Sequence, residues 1–431
     1  MKPSHTTPYP TLRLRPGREY TLVNGHPWLF SGAFETLKRL PRETPAGAVV
    51  DVVTSEGEWV GRGHLNANNS LAFRLLTRDR DEPIDQAFYV WRTQRALTLR
   101  RLLPAQTNAY RLINAEGDGL PGLIVDRYDR WLVAQFHTAG VELQREVILA
   151  ALTQAIDEAE GVGSIEGIVA RDDVKARARE GLAVGGASVI YGLAPSRIEI
   201  AEQGIRYEID PLQGQKTGFF LDQREKRARV TELARQFASI PSGAASPRTL
   251  LNLFAYSGGF ALAGLAGDPM LRTVNVDSSA PALELARRNY TLNGYDPDEL
   301  GADDAPRHRF IDSDVTRHLH SAISSGKRFS IVVVDPPAFA KSQQAKERAL
   351  HAYAALNELA AQVVAPDGLL LTCSCSGAID AQEFEGAVRQ GLRQAQRTAR
   401  FIASFGPSVD HPTLPGFNED RYLKALLLAM D

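Results

Sequence analysis

The chain has 431 residues, 44% of them hydrophobic and 23% charged, with a formal net charge of −2. Such a length implies two or three globular domains, and the composition excludes a disordered or fibrous chain. No apolar run is long enough to span a bilayer and the start at Met1 lacks an apolar signal core, so the expectation is a cytoplasmic protein without a membrane partner. With the charges so nearly balanced, any nucleic-acid role has to come from a local surface.

Up to about residue 80 the sequence predicts short strands. Ala48–Val53 is followed by the turn residues Ser55, Glu56 and Gly57, then by Trp59, Val60, Gly61, Arg62 and Gly63, and later by the apolar run 71–76. Strands at this spacing, with glycines where the sheet must bend, build small barrels. The acidic, proline-containing stretch 79–85 marks a boundary, and residues 86–103 read as a helix carrying Phe88, Val90, Trp91, Leu97 and Leu99 among arginines. A turn-rich segment, 117–122, leads into Leu123, Ile124, Val125 and Asp126. A strand at 131–137, a helix at about 141–159 and further strands complete an α+β unit. From about residue 205 the pattern alternates. The apolar runs 249–254, 273–276, 329–334 and 368–372 read as buried parallel strands with helices between them, in a doubly wound α/β domain, and 240–247 reads as a loop. The domains expected are thus 1–80, 81–204 and 205–431. Two basic clusters stand out, Lys2, Arg13, Arg15 and Arg18 near the start and Arg92, Arg95, Arg100 and Arg101 further on; the ordinary role of such a cluster is a solvated face.

The run Leu250, Leu251, Asn252, Leu253, Phe254 passes into Ala255, Tyr256, Ser257, Gly258 and Gly259 and then an alanine-rich helix. Glycines after a first strand let a ligand approach the backbone, and a helix start presents free N–H groups. The next strand ends at Asp277, a carboxylate about 20 residues on, placed for the two hydroxyls of a ribose. Asp314 follows the third strand, where a side chain can meet an adenine amino group, although acids at strand ends commonly cap helices. The spacing suits a dinucleotide or S-adenosylmethionine, but the glycines do not form Gly-x-Gly-x-x-Gly, which weakens a dehydrogenase reading. The strand Ile331, Val332, Val333, Val334 delivers Asp335, Pro336 and Pro337, a stiff loop whose free carbonyls can accept from the exocyclic amine of a base. The chain has two cysteines, Cys373 and Cys375, too close in sequence for an ordinary disulfide and without the neighbours a metal site needs, so no metal is expected.

At these residues the chain resembles the large-subunit ribosomal RNA cytosine-5 methyltransferases of class I. The matching segments are 25–32, 116–127, 214–224, 252–260, 335–341, Ser374 to Gly377, and Asp410, His411 and Pro412, spread in family order over nearly the whole chain. The resemblance implies a small β-barrel PUA domain, a central α+β domain and a C-terminal Rossmann-like methyltransferase domain. It further implies S-adenosylmethionine as cofactor and 23S ribosomal RNA, free or in a large-subunit particle, as partner. It places the cofactor at Asn252, Phe254, Tyr256, Ser257, Gly258, Asp277, Asp314 and Asp335, and sets the loop holding Lys216, Asp222, Gln223 and Arg224 beside it. Read from the residues alone, that loop could orient cofactor, base or phosphate.

Carbon 5 of cytosine is a poor nucleophile until a thiolate adds to C6. Cys375, in the Ser-Cys-Ser-Gly context of the family, is the expected nucleophile, and Asp335 the group that holds the N3/N4 edge of a base taken out of its stack. Cys373 reads as a small buried hydrophobe, with assistance in proton removal or adduct release as the alternative. Many other RNA cytosine-5 enzymes, with an Asp-Ala-Pro-Cys type sequence, have a second cysteine that assists product release, whereas here Ala338 follows Asp335, Pro336 and Pro337, leaving the base for the C5 proton unassigned. The rival readings are a methyltransferase acting on a base nitrogen and a non-catalytic RNA-binding assembly factor. The sequence leaves open which nucleotide is modified and whether the protein is a homodimer.

Overall fold

The computed structural model describes residues 9–431 apart from 36, 38, 39, 42, 240–247 and 341; the predicted loop at 240–247 and the basic residue Lys2 lie outside the described residues. The chain divides into two compact units. One comprises Met1–Ile198, Ile209–Leu221 and Val409–Asp420, the other Glu199–Glu208, Asp222–Ser408 and Arg421–Asp431.

In the first unit, Ala48–Val53 alternates, with Val50 and Val52 fully buried, and this inward face meets Leu12, Leu29, Leu65, Ala72 and Phe73. The result is a curled five-stranded sheet in the order Thr11–Arg13, Ala48–Val53, Trp59–Leu65, Leu71–Thr77, Trp28–Phe30. Its pairings are antiparallel except that of the first two strands. A Cβ on Gly63 would lie 2.1 Å from the Arg74 carbonyl oxygen, so the tight curl requires glycine there. A second five-stranded sheet runs Ala187–Gly192, Gly167–Arg171, Trp131–Phe136, Leu123–Tyr128, Ala109–Asn114. The helices Gln86–Arg100 and Arg145–Glu160 bury Phe88, Ile148, Leu152 and Ile156 against it. The helix expected at 141–159 is two helices, Ala139–Leu143 and Arg145–Glu160. Between them Gln144, at φ −99° and ψ 12°, leaves the helical region.

His64, in the curled sheet, is buried, and neither ring nitrogen has a hydrogen-bond partner among the described residues. Burial, helped by the charge of Arg74, pushes its pKa down to about 3, and burial likewise holds His137 at about 4. The unfolded chain takes up these protons near pH 6.5, whereas the native state takes them up only at about 3 to 4. Stability therefore falls as pH drops from about 6.5 towards 4. Urea midpoints measured across that window should decline, and His64→Leu should make the decline shallower; an unchanged slope would remove His64 from the account.

In the second unit seven strands form one sheet: β1 (Thr249–Leu253), β2 (Arg272–Asp277), β3 (His308–Asp312), β4 (Phe329–Val334), β5 (Val364–Ser374), β6 (Ala399–Phe405) and β7 (Lys424–Met430). The spatial order is β3-β2-β1-β4-β5-β7-β6. The five strands from β3 to β5 pair in parallel, while β7 is antiparallel to both β5 and β6. Residues 331–334 are buried throughout, as expected of a strand covered on both faces by helices. Strand order reverses between β1 and β4, and in such sheets the crevice at the carboxyl ends of the strands is where ligands bind. The strand ends singled out in the sequence, near Asn252, Asp277, Asp314, Asp335 and Cys375, belong to this edge.

Candidate active site

After β1 the chain turns sharply. Phe254 and Tyr256 hold φ of 59° and 43°, the left-handed region that costs non-glycine residues about 1 to 3 kcal/mol each. Two contacts hold the turn in place. The backbone N–H of Tyr256 donates to Asp277 Oδ2 at 2.9 Å, and the Asn289 amide on the helix Ala280–Leu292 donates to the Ser257 carbonyl at 3.0 Å. Gly258 at φ 75° starts the helix Gly259–Gly267, and a Cβ there would meet the Cβ of Ala286 at 3.1 Å. The other Asp277 oxygen accepts from Ser279 N at 2.9 Å. Each carboxylate oxygen keeps a second lone pair for a ligand hydroxyl.

Asn252 is buried in β1 and donates across the sheet to Asn275, which in turn donates to the Tyr290 hydroxyl. Thr273 bonds both that hydroxyl and His308. This polar ladder runs beneath the turn, and the Asn252 Oδ1 has no partner among the described residues. Asp314 is exposed and caps the helix Val315–Ser324, accepting from Arg317 N at 3.0 Å. It is not part of the cluster the structure brings together around Asp335.

At the end of β4, Asp335 accepts from the Gln223 amide at 2.8 Å. Arg224, next to Gln223, is buried and ion-paired with Glu202 at 3.3 Å, and Arg227 forks onto the same carboxylate at 2.6 and 2.8 Å. The Arg224 guanidinium thus anchors the start of the helix Arg224–Ser239. Asp222 accepts from Tyr422 at 2.6 Å, and Lys216 belongs to the first unit.

The two cysteines differ. Cys373 lies inside β5, fully buried; burial, and then the Asp335 charge, push its thiol well above the ordinary range, so at neutral pH it is a neutral thiol. Cys375 lies just past the end of β5, half-buried, with Sγ 3.7 Å from the Pro336 carbonyl oxygen. The neighbouring Ser376 Oγ accepts from Ala340 N at 3.1 Å, joining the Cys375 turn to the loop after Asp335. A half-buried thiol and a carboxylate therefore share one loop cluster, with a buried amide bonded to the carboxylate.

Two lysines that sequence reasoning passed over hold this cluster. Lys226 is fully buried, donating to the carbonyls of Asp222 and Gly406 at 2.6 and 2.7 Å. Lys424 opens β7 and donates to the carbonyls of Ser376, Ile379 and Tyr422 at 2.7, 2.6 and 2.8 Å. Burial lowers its pKa to about 8, against the opposing influence of Cys375, Asp380 and Glu383. The signal for it in the sequence was a lysine heading the otherwise apolar run Lys424–Met430.

The turn fits a nucleoside ligand on its own geometry, with a glycine that lets the turn pack tightly on Ala286 and Tyr290, a strand-tip carboxylate and an orphaned buried acceptor at Asn252. The comparisons agree in kind. Residues 12–78 match the family model of the PUA-like domain, and residues 185–428 that of S-adenosylmethionine-dependent methyltransferases. Ribosomal RNA large subunit methyltransferase I of Klebsiella pneumoniae is 34% identical over 96% of this chain and 97% of its own length; that of Alteromonas mediterranea is 36% identical over the same shares. An S-adenosylmethionine-dependent methyltransferase from Streptococcus mutans has the same fold at a TM-score of 0.76 and 20% identity, covering 97% of this chain and all of its own. S-adenosylmethionine is therefore the cofactor, and the chain belongs to the S-adenosylmethionine-dependent methyltransferase family that includes ribosomal RNA large subunit methyltransferase I.

Proposed function

We propose that the protein methylates carbon 5 of a cytosine in 23S ribosomal RNA through a covalent bond from Cys375 to C6. The observation that carries the reading is the contrast between the thiols. Cys375 is half-exposed beside the Asp335 loop, and Cys373 is sealed in β5. The relatives, ribosomal RNA large subunit methyltransferases by name, support ribosomal RNA as the substrate class.

Asp277, Asn252, Tyr256, Ser257 and Gly258, with Phe254 shaping the turn, would hold the cofactor, and Asp314 would stand at its adenine end. When bound, S-adenosylmethionine supplies an electrophilic methyl group. The rest falls to the chain's own residues. The Cys375 thiolate adds to C6 of a flipped-out cytosine, which places electron density on C5. Asp335, steered by Gln223, holds the N3/N4 edge and stabilises the adduct. After C5 is alkylated, loss of its proton drives elimination, and the thiolate leaves C6. Three parts, a PUA-like module over 1–80, a central α+β region over 81–204 and a methyltransferase domain over 205–431, are supported by three separate apolar cores.

The test is a covalent trap. Protein, cofactor and 23S ribosomal RNA containing 5-fluorocytosine should give a band that survives denaturing electrophoresis, because fluorine cannot leave as the proton does. The band should vanish in Cys375→Ala and persist in Cys373→Ala. Methyl transfer to ordinary RNA with no trapped band in any sample would favour chemistry on a base nitrogen.

A further inference from the structure

The helix Gln86–Arg100 brings a second site into view, within the first unit. A cleft of about 450 Å³ lies between this helix and the end of the strand Leu71–Thr77, in the volume range of small-molecule pockets. Leu75, Leu99 and Pro121 give it apolar walls, and Arg78, Arg92 and Arg95 line it with positive charge.

Two of the three arginines are not paired with an acid among the described residues, and the third, Arg92, is paired with Glu82. The guanidiniums of Arg92 and Arg95 both sit over the Trp91 ring, at 4.7 and 4.9 Å from its centroid. Arg92 donates to the Leu76 carbonyl at 3.0 Å and lies 3.4 Å from Glu82, while its buried Nε has no hydrogen-bond partner among the described residues. Burial pushes the Arg92 guanidinium below its usual range, Glu82 opposes this, and the Arg95 charge adds to it. Arg78 and Arg95 are exposed, and neither has an ion-pair partner among the described residues. The two acids that also line the cleft are already engaged. Asp118 is gripped by both terminal nitrogens of Arg100 at 2.7 and 2.6 Å, and Glu116 is buried, takes the Trp28 indole N–H at 2.8 Å and has its carboxyl raised by burial. The cleft therefore presents excess positive charge above an apolar floor. A phosphodiester with its attached base matches both features, the phosphate accepting from the guanidinium forks and the base covering the leucines.

We infer that this cleft binds one nucleotide of the RNA substrate, with Arg78 and Arg95 on its phosphate, as an anchor separate from the catalytic crevice. The inference rests on the ribosomal RNA reading above. It is tested with full-length protein and a 23S ribosomal RNA fragment, by fluorescence anisotropy over a salt series, for wild type, R78Q/R95Q and R78K/R95K. The glutamine variant should bind about ten- to a hundredfold more weakly, with a salt slope reduced by about 0.7 to 0.9, as for one lost phosphate contact. The lysine variant should regain most of the affinity, and cofactor affinity, thermal midpoint and kcat at saturating RNA should stay at wild-type values. Unchanged RNA affinity and slope in R78Q/R95Q would overturn the cleft as an RNA site. So would unchanged binding of naked RNA with loss of binding only to the large-subunit particle, which would instead point to an acidic protein segment. Failure of the wild type itself to bind either the fragment or the large-subunit particle would remove the parent reading along with the cleft.

Discussion

Replacing Cys375 by alanine is expected to lower methyl transfer to 23S ribosomal RNA by about four orders of magnitude or more, since the nucleophile has no substitute in the cluster. Cofactor binding should not change, because the turn after β1 and the Asp277 carboxylate are built from other elements. Cys373→Ala offers the contrast. It opens a small void in β5 and should cost about 1 to 2 kcal/mol of stability, with methyl transfer within about tenfold of wild type. Single-turnover incorporation of labelled methyl into RNA, beside a denaturant titration of each variant, separates the two effects. An active Cys375→Ala paired with an inactive Cys373→Ala would reverse the assignment, and the buried thiol would then need a route to solvent that the strand does not offer.

The second large effect concerns Gly258. Valine there must adopt φ near 75° with its Cβ crowding the Cβ of Ala286 at 3.1 Å and the Tyr290 ring at 3.3 Å. Neither neighbour can retreat: Ala286 is buried on a packed helix, and Tyr290 is tied to Thr273 and Asn275. The turn itself has to move, so cofactor affinity by calorimetry should drop at least about fiftyfold, with about 2 to 4 kcal/mol lost in stability. Gly294 is the matched control. It has a similar φ of 81° with nothing within 4 Å of where a Cβ would sit, so Gly294→Ala should show the backbone penalty without loss of affinity. Equal cofactor affinities in the two variants would mean that the turn at Gly258 does not shape the pocket.

Much of the fold was legible because it follows from periodicity. The apolar runs at 249–253 and 331–334 can only be strands buried on both faces, and the chain order of strands and helices then yields the reversal between β1 and β4. The break at Gln144 was not legible, since the apolar pattern runs across it and the interruption lies in backbone angles alone. At the site, residues at strand ends were accessible to reasoning because strand ends point to one edge. Arg224 and Lys226 were harder. Their positions depend on Glu202, which lies in a separate hairpin, and on the carbonyl of Gly406, which comes from the far end of the sheet. The capping of a helix by Asp314 follows from the local sequence and was visible as an alternative from the start.

The three carbonyls that clasp Lys424 also bear on the timing of assembly. Cys375 follows β5, but the ammonium that fixes its turn arrives on β7, which inserts between β5 and β6 and is the last strand of the sheet to be synthesised. At ordinary translation rates of about 5 to 20 residues per second, the thiol leaves the ribosome seconds before its clasp. For that interval the Cys375 thiol hangs on an unfinished edge, next to the slot that β7 will fill. A nascent chain can thus have its nucleotide-binding half in place while its reactive turn is still unset, so that reactivity is the last property the domain acquires.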